Sequence, residues 1–427
     1  MMKRSELETS NSLRETFDDI RNYVAGNSVG ITLDSEMVKE LIFLLLCKVS
    51  DERNTKPNDQ VQFQLLEGSN SLETVKSLMS ETRKKPLLKS LNFIDKKSGT
   101  KLGDKTLSYC VESLQKLELS GSSRDVMGEA FETLIGPFLR GDEGQFFTPR
   151  TLIELAVRMV NPKENELILD PACGAGGFLI SAMQHISKTN SKYNGKGILG
   201  IDKDTFLSEI TQCYLIICGG DKSFIANENS LDVPLNWSKI SNASIQLGTI
   251  DVIVTNPPFG AKIPVTGEEL LKQYELGRKW KKNVDGDFEQ TEKLLDKQPP
   301  QILFIERCLQ FLRPGGRLAI VLPESILGNA RERYVRQFTR TQANVVAIVD
   351  CPLETFQPGT STKVGLLILQ KKTENSKQED VWMAISETCG HDRRGKVIYR
   401  EDGTLDNEFD SIGDLWEQSG RDNYVGF

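Results

Sequence analysis

The chain has 427 residues, 38% hydrophobic and 26% charged, which is the composition of a folded protein with one large core or two domains. Its formal net charge is −7, whereas a protein that binds nucleic acid alone usually has a basic surface. Any phosphate contacts would therefore come from a local basic cleft or from a basic partner.

Cysteine and histidine usage argues against a metal site or a disulfide framework. The eight cysteines include no C-x-x-C pair, which fits a reducing cytoplasm. The two histidines, His185 and His391, support neither a catalytic triad nor a metal cluster. The first residues lack the apolar core of a signal peptide, and no run of about 18 apolar residues predicts a membrane helix. We expect a cytoplasmic protein without a metal ion.

Residues 1–125 predict an N-terminal helical domain. The stretch 35–52 has apolar residues at helical spacing and on all sides in its middle, which predicts a buried helix with Asp34 or Ser35 as its N-cap. The stretch 101–139 continues the helical pattern, and a further helix should begin near Arg124.

From about residue 145 short apolar strands alternate with helices, which predicts a doubly wound α/β sheet in a domain of residues 126–427. A helix over 301–312 should end at the Arg-Pro-Gly-Gly sequence that follows it. Residues 262–300 are polar and charged and predict a long loop. The predicted strands are 167–170, 198–202, 251–255, 317–323, 345–350 and 363–369.

The stretch DPACGAGGFLISAM, residues 170–183, predicts a strand end, a glycine turn and an apolar helix. Its glycines allow a sharp turn and a close approach of the backbone to a ligand. Asp202 ends the next predicted strand, where an acid suits the two hydroxyls of a ribose. The turn lacks the Lys-Ser/Thr pair of a phosphate loop, which disfavours ATP. A turn that serves only helix packing is the alternative interpretation.

Three motifs together resemble those of one enzyme family. DPACGAGGF at 170–178 resembles motif I of S-adenosylmethionine-dependent methyltransferases, and NPPF at 256–259 resembles motif IV of the amino-methyltransferases. GQFFTPR at 144–150 resembles the motif that precedes motif I in gamma-order adenine-N6 DNA methyltransferases. With the helical N-terminal domain, the chain resembles over residues 1–425 the modification (M) subunit of type I restriction-modification systems.

The resemblance implies a Rossmann-like methyltransferase sheet, S-adenosylmethionine as cofactor, and methylation of the N6 amine of adenine in double-stranded DNA. By position, Asn229 falls where many relatives carry an acid near the adenine ring of the cofactor; a surface loop asparagine is the alternative. The implied cofactor-binding residues are Gln145, Phe146, Phe147, Thr148, Pro149, Arg150, Asp170, Ala172, Gly174, Ala175, Gly176, Gly177, Asp202 and Asn229, and the implied catalytic residues are Asn256, Pro257, Pro258 and Phe259.

The NPPF turn has a chemical rationale of its own. The lone pair of an exocyclic amine is delocalised into its ring, and two acceptors aimed at its N–H bonds favour a tetrahedral nitrogen. The side-chain oxygen of Asn256 and the carbonyl of Pro257 can be these acceptors, and Phe259 can stack on a base taken out of the duplex. The alternative is a strand capped by prolines with an incidental phenylalanine.

The resemblance also implies partners: DNA, a specificity (S) subunit, a restriction (R) subunit and a second modification subunit, with no membrane. Relatives usually continue into a C-terminal helical tail that packs on the specificity subunit. This chain stops at RDNYVGF, so that contact would use a shorter tail or another surface. Two other functions stay open: methylation of protein glutamine or of RNA, and a scaffold without catalysis.

Overall fold

The computed structural model describes residues 2–28, 34–66, 71–85, 100–135, 148–260, 263–421 and 424. The helices are α1 (Arg14–Asn27), α2 (Asp34–Asn54), α3 (Ser71–Arg83), α4 (Asp104–Leu114), α5 (Arg124–Ile135), α6 (Arg150–Val160), α7 (Gly177–Ser187), α8 (Thr205–Ile217), α9 (Lys239–Ser244), α10 (Glu268–Leu271), α11 (Pro300–Phe311), α12 (Glu324–Gly328), α13 (Arg333–Gln342) and α14 (Phe409–Gln418). The strands are β1 (Ile168–Asp170), β2 (Ile198–Asp202), β3 (Phe224–Asn227), β4 (Ile250–Thr255), β5 (Val265–Thr266), β6 (Arg278–Lys282), β7 (Phe288–Leu294), β8 (Lys297–Gln298), β9 (Leu312–Pro323), β10 (Ala343–Asp350), β11 (Val364–Lys371) and β12 (Trp382–Ile385).

The chain divides into two compact units. The first comprises Met1–Glu143 and Thr205–Ser223, and the second comprises Gly144–Asp204 and Phe224–Phe427. The predicted boundary after residue 125 falls inside α5, which packs on α1 within the first unit. The predicted division into an N-terminal domain and a catalytic domain at residue 125 stays a prediction.

The first unit is helical, as predicted for the N-terminal region. The prediction of a buried helix over 35–52 is confirmed by α2, whose apolar residues from Leu41 to Leu46 are all nearly inaccessible to solvent. Helix α8 packs with α2 in this unit, and Arg53 donates to the carbonyl oxygens of Ile216 and Ile217 at 2.9 and 3.0 Å. These bonds satisfy two carbonyls at the last turn of α8.

The second unit contains an eight-stranded sheet in the order β12-β10-β11-β9-β4-β1-β2-β3. All pairs are parallel except the two made by β11, which is antiparallel to both β9 and β10. The central strands are buried on both faces, since Val252, Ile253 and Val254 are fully inaccessible. This architecture confirms the predicted doubly wound α/β sheet, and all six predicted strands are confirmed to within a few residues.

The prediction of a long loop over residues 262–300 was wrong. In this range β6 and β7 form an antiparallel hairpin, and the short strands β5 and β8 pair with each other. Trp280 and Phe288 of the hairpin pack against Tyr334 of α13 with ring centroids 6.2 and 6.3 Å apart. Most other hairpin side chains are exposed and charged, so the sequence carried no apolar alternation that would predict strands.

Candidate active site

The carboxyl ends of three neighbouring parallel strands meet at one edge of the sheet. Strand β1 lies between β4 and β2, so Asp170 at the end of β1, Asp202 at the end of β2 and Asn256 just after β4 follow adjacent strands. Strand order reverses beside β1, and ligands of open α/β sheets bind at such a point. The fold therefore brings the two principal sequence motifs to the same edge.

The turn after β1 depends on glycine. Gly174 and Gly176 have φ angles of +49° and +86°, which side chains with a Cβ rarely adopt. A Cβ on Gly177 would lie 2.8 Å from Cδ1 of Ile153, so α7 begins close to α6. A Cβ on Gly174 would meet no described heavy atom within 4 Å apart from its chain neighbours. Within the described part of the chain, the space beside Gly174 is therefore open to a ligand, and Ala172 and Ala175 are partly exposed in the same turn.

Asp202 connects the end of β2 to this glycine turn. Its Oδ2 accepts a hydrogen bond from the Gly174 amide at 2.8 Å, and its Oδ1 accepts one from the Asp204 amide at 2.9 Å. Burial raises the pKa of the Asp202 carboxyl, while the two amides act in the opposite direction. The carboxylate is thus held in one orientation beside the open space at Gly174.

Asp170 ties the end of β1 to the end of β4. Its Oδ1 accepts hydrogen bonds from the Ala172 amide at 3.0 Å and from the Thr255 hydroxyl at 2.7 Å. Its side chain is buried, and desolvation raises the pKa of the Asp170 carboxyl to about 7. Thr255 immediately precedes Asn256, so Asp170 helps to fix the position at which the chain leaves β4.

The loop after β3 presents Asn229 at the surface. The Asn229 Oδ1 accepts from the Leu231 amide at 3.1 Å, and its backbone carbonyl accepts from the Trp237 indole at 3.0 Å. The side chain is exposed and its oxygen already serves the loop, which leaves its Nδ2 as the group for an outside partner.

A buried arginine that the sequence analysis did not single out holds this loop from α11. Arg307 donates from Nε to the Tyr274 hydroxyl at 2.9 Å and from Nη2 to the Asp232 carbonyl at 3.1 Å. The Tyr274 hydroxyl donates in turn to the Leu231 carbonyl at 2.7 Å. The signal in the sequence was a charged pair, Glu306 and Arg307, in the middle of an otherwise apolar helix.

Asn256 is the one predicted catalytic side chain with an unused buried polar atom. Its Nδ2 donates to Oγ1 of Thr148 at 2.9 Å. Its Oδ1 is buried and has no hydrogen-bond partner among the described residues. A buried acceptor without a partner costs free energy, and in native proteins such an atom calls for an explanation. Pro257 beside it is buried and Pro258 is exposed.

The aromatic ring of the NPPF turn is half-buried and braced by a second ring. Phe259 meets Phe356 edge to face, with centroids 6.1 Å apart and an interplanar angle of 81°. Phe356 follows β10 along the chain and was not identified from the sequence. The Gly260 amide donates to Oε1 of Gln301 at 3.2 Å, which ties the end of the turn to α11. The Phe259 ring is therefore held in place while part of it stays exposed.

The GQFFTPR motif is described only in part. Gln145, Phe146 and Phe147 lie outside the described residues. Pro149 precedes the first residue of α6, and Arg150 pairs with Glu154 at 2.8 Å within that helix. Among the described residues of this motif, Thr148 contacts Asn256.

The described residues add two negative findings. Within the ranges given above, no group of three or more His, Cys, Asp or Glu side chains could hold a metal ion. Nor is any helix in the described part of the chain both long and apolar enough to cross a membrane.

Comparison with known proteins identifies the family. Residues 122–423 match the N-6 DNA Methylase family. The methylase subunit of the type I restriction enzyme EcoEI from Escherichia coli is 28% identical over 287 residues, which cover 65% of this chain and 52% of that protein. The MjaIX methylase subunit from Methanocaldococcus jannaschii is 25% identical over 279 residues, covering 62% of this chain and 45% of that protein. The chain thus spans about half the length of the curated relatives it matches.

Solved structures show the same fold at low sequence identity. A modification subunit of a type I restriction enzyme from Vibrio vulnificus has a TM-score of 0.63 and 19% identity, covering 96% of this chain and 91% of that one. The methyltransferase subunit of a type I restriction-modification system from Streptococcus thermophilus has a TM-score of 0.66 and 18% identity. The match covers 96% of this chain and 94% of that one.

Proposed function

The chain belongs to the N-6 DNA methylase family, and from this premise we propose that it transfers a methyl group from S-adenosylmethionine to the N6 amine of adenine in double-stranded DNA. We propose further that it acts as the modification subunit of a type I restriction-modification complex. The observation that carries the proposal is the buried, unpaired Oδ1 of Asn256 at the carboxyl end of β4.

An exocyclic amine would supply the hydrogen-bond donor that Asn256 Oδ1 lacks. The amine offers two N–H donors, and Asn256 Oδ1 can accept one while the Pro257 carbonyl accepts the other. With both N–H bonds held by these acceptors, the nitrogen becomes more tetrahedral and its lone pair is no longer delocalised into the ring. The lone pair then points away from the two acceptors. The proline ring fixes the direction of the second acceptor. Orientation of the reacting groups and placement of charge would therefore supply most of the rate enhancement.

The cofactor side fits S-adenosylmethionine. Asp202 would hold the ribose hydroxyls, and the turn from Gly174 to Gly177 would lie against the cofactor, because the space beside Gly174 is open and the Asp202 carboxylate is fixed next to it. Asn229 would face the adenine ring through its exposed amide nitrogen. When bound, the cofactor supplies a methyl group on a positively charged sulfur.

The target base would stack on Phe259. An enzyme that acts on a base amine must take the base out of the duplex, and base–aromatic stacking compensates part of the cost. The edge-to-face contact with Phe356 keeps the Phe259 ring in place before the base arrives.

The partners of the proposed complex follow from its task. The net charge of −7 argues that other subunits supply much of the DNA affinity. A specificity subunit would choose the sequence, a restriction subunit would add cleavage, and a second modification subunit would serve the other strand. The proposal puts the complex in the cytoplasm, where its DNA lies.

The first test is a genome-wide map of N6-methyladenine in the native host. Strains carrying the wild-type chain, Asn256→Ala or a control substitution at the exposed Asn58, Asn58→Ala, are compared by long-read sequencing. We expect methylation to vanish from one sequence motif in Asn256→Ala alone. Persistence of every adenine mark in that strain would overturn the proposal in favour of a protein or RNA substrate or a scaffold.

A further inference from the structure

The segment between β4 and α11 reaches the loop after β3 through the buried side chain of Tyr274. This tyrosine is 1% exposed, and its hydroxyl oxygen lies 2.7 Å from the carbonyl oxygen of Leu231. Leu231 is two positions after Asn229, the residue proposed above to face the adenine ring of the cofactor. A segment with no role in the site so far therefore has a fixed contact with the proposed cofactor loop.

Both hydrogen bonds of the Tyr274 hydroxyl have a defined direction. Arg307 Nε can only donate, and it donates to the hydroxyl oxygen at 2.9 Å. The hydroxyl proton is thus left for the Leu231 carbonyl, which can only accept. Burial raises the pKa of the Tyr274 hydroxyl, so this proton stays in place at neutral pH. Tyr274 is therefore a donor to the loop.

Leu231 passes this constraint on to Asn229. The Leu231 carbonyl accepts from Tyr274, and the Leu231 amide donates to Asn229 Oδ1 at 3.1 Å. A backbone N–H only donates, so it selects the oxygen of the Asn229 side chain and turns the nitrogen away. The Asn229 side chain is exposed. The position of the Leu231 backbone thus determines which end of the Asn229 amide is presented to a ligand.

Helix α11 holds both Tyr274 and the loop. The Glu306 carboxylate accepts at 2.8 Å from each of the two backbone amides that directly follow the tyrosine. The Cζ atom of Arg307 lies 4.9 Å from the centroid of the Tyr274 ring, and Arg307 Nη2 donates to the Asp232 carbonyl at 3.1 Å. Two adjacent residues of one buried helix therefore support the tyrosine and the loop that it contacts.

We propose that Tyr274 is a positioning residue for cofactor binding, which fixes the loop after β3 so that Asn229 Nδ2 faces the adenine ring of S-adenosylmethionine. The inference rests on the proposed function and deepens it, since it gives the segment between β4 and α11 a part in cofactor affinity. The contact acts on the cofactor equally before and during methyl transfer. Its loss should therefore weaken cofactor binding and leave the rate at saturating cofactor nearly unchanged.

The first test compares Tyr274→Phe with the control Tyr334→Phe in the assembled complex, purified through a tag on this chain. Each substitution removes one hydroxyl and keeps the ring, but the Tyr334 hydroxyl accepts from Gln298 at 3.2 Å, within the neighbouring segment. We expect Tyr274→Phe to raise the Kd for S-adenosylmethionine about 3- to 10-fold in calorimetric titration, the range for one lost hydrogen bond.

The rate and the control complete this test. The kcat of Tyr274→Phe at saturating cofactor should change by less than about twofold, and Tyr334→Phe should change neither quantity. An unchanged Kd for Tyr274→Phe would overturn the inference. So would an equal rise in Kd for Tyr334→Phe, because the effect would then come from any lost hydroxyl in this region.

A double-mutant comparison shows whether Tyr274 acts through Asn229. Asn229→Ala should raise the Kd for S-adenosylmethionine by itself. In that background Tyr274→Phe should raise the Kd further by less than about twofold, since the side chain that it orients is gone. The same factor in both backgrounds, or an Asn229→Ala variant with the wild-type Kd, would contradict the proposal.

Hydrogen exchange in the wild-type complex tests the link without any substitution. Saturating S-adenosylmethionine should slow exchange in residues 229–233 and also at the amides of Glu275 and Leu276, because Tyr274 joins the two segments. Slower exchange in the loop alone would overturn the inference. A wild-type complex that binds the cofactor but methylates no DNA would instead refute the proposed function, with the expected exchange pattern unchanged.

Discussion

Two regions at the same edge of the sheet, the turns after β1 and β2 and the turn after β4, differ in how their polar atoms are used. After β1 and β2, the carboxylates of Asp170 and Asp202 accept hydrogen bonds from Ala172, Gly174 and neighbouring groups of the protein. After β4, Asn256 donates to Thr148 and leaves a buried oxygen without a partner in the described part of the chain. Among the described residues, the two carboxylates of the first region have hydrogen-bond donors, whereas the second region keeps an acceptor that we propose is paired only when a substrate binds.

This difference predicts that substitutions in the two regions will lower different quantities, cofactor affinity in one and the rate of transfer in the other. A change in the completed region should weaken cofactor binding, because the shape of that region is already set by the fold. A change in the turn after β4 should slow transfer with little effect on cofactor affinity, because we propose that the unpaired oxygen of Asn256 contacts the substrate and not the cofactor. The predictions below run from the largest expected effect to the smallest.

Asn256→Ala should reduce kcat about 100- to 1000-fold, which is the range for loss of one preorganised polar group. The Kd for S-adenosylmethionine should stay within about threefold, because the cofactor contacts are expected from Asp202 and the glycine turn. Single-turnover methylation by the assembled complex and calorimetry measure the two quantities. Equal losses in both would remove the distinction between the two turns.

Asp202→Ala should give the opposite pattern. The substitution removes the carboxylate that we propose binds the ribose hydroxyls and that accepts from the amides of Gly174 and Asp204, so we expect the Kd for S-adenosylmethionine to rise about 10- to 100-fold. The rate at saturating cofactor should fall much less. Asp251→Ala is the matched control, since Asp251 accepts from the Leu167 amide at the other end of β4. A control with the same rise in Kd would show that the effect is one of general stability.

The fold and the separate motifs could be predicted from the sequence because both depend on local patterns. Apolar runs gave the strands, and the glycines of residues 174–177 gave the turn. The pairing of Thr148 with Asn256 could not be predicted, since the two are 108 positions apart and no pattern links them. Phe356 and Arg307 were missed because only the folded chain brings them to the NPPF turn and to the loop after β3.

Phe259→Ala should weaken capture of the target base by about 1–3 kcal/mol, the usual range for base stacking on an aromatic side chain. The methylation rate at limiting DNA measures this loss. Phe356→Leu tests the contact that holds the Phe259 ring in place. It should weaken base capture by about 1 kcal/mol or less, since it removes one edge-to-face contact and keeps most of the apolar volume. An unchanged rate for Phe259→Ala at limiting DNA would contradict the assigned role.

The smallest effect concerns Asp170, which joins the two turns through Ala172 and Thr255. Burial raises the pKa of its carboxyl to about 7, whereas the unfolded chain loses the same proton near 3.8. The folded state therefore holds one more proton than the unfolded chain between pH 3.8 and pH 7. The free energy of unfolding that this group contributes accordingly falls as the pH rises through this range. Between pH 6 and pH 7 the loss from this group should be about 1 kcal/mol.

Asp170→Asn removes that titration and keeps an oxygen acceptor for Ala172 and Thr255. We expect the apparent Tm of wild type to fall about 2–4 °C more than that of the variant between pH 6 and pH 7. Burial also raises the pKa of Glu306 to about 7, but this group titrates in both proteins and cancels in the difference. Parallel changes in Tm would show that Asp170 stays ionised in the fold. Asp170 would then accept the hydrogen bonds of Ala172 and Thr255 as an ionised carboxylate. The edge of the sheet would carry this negative charge near Asp202.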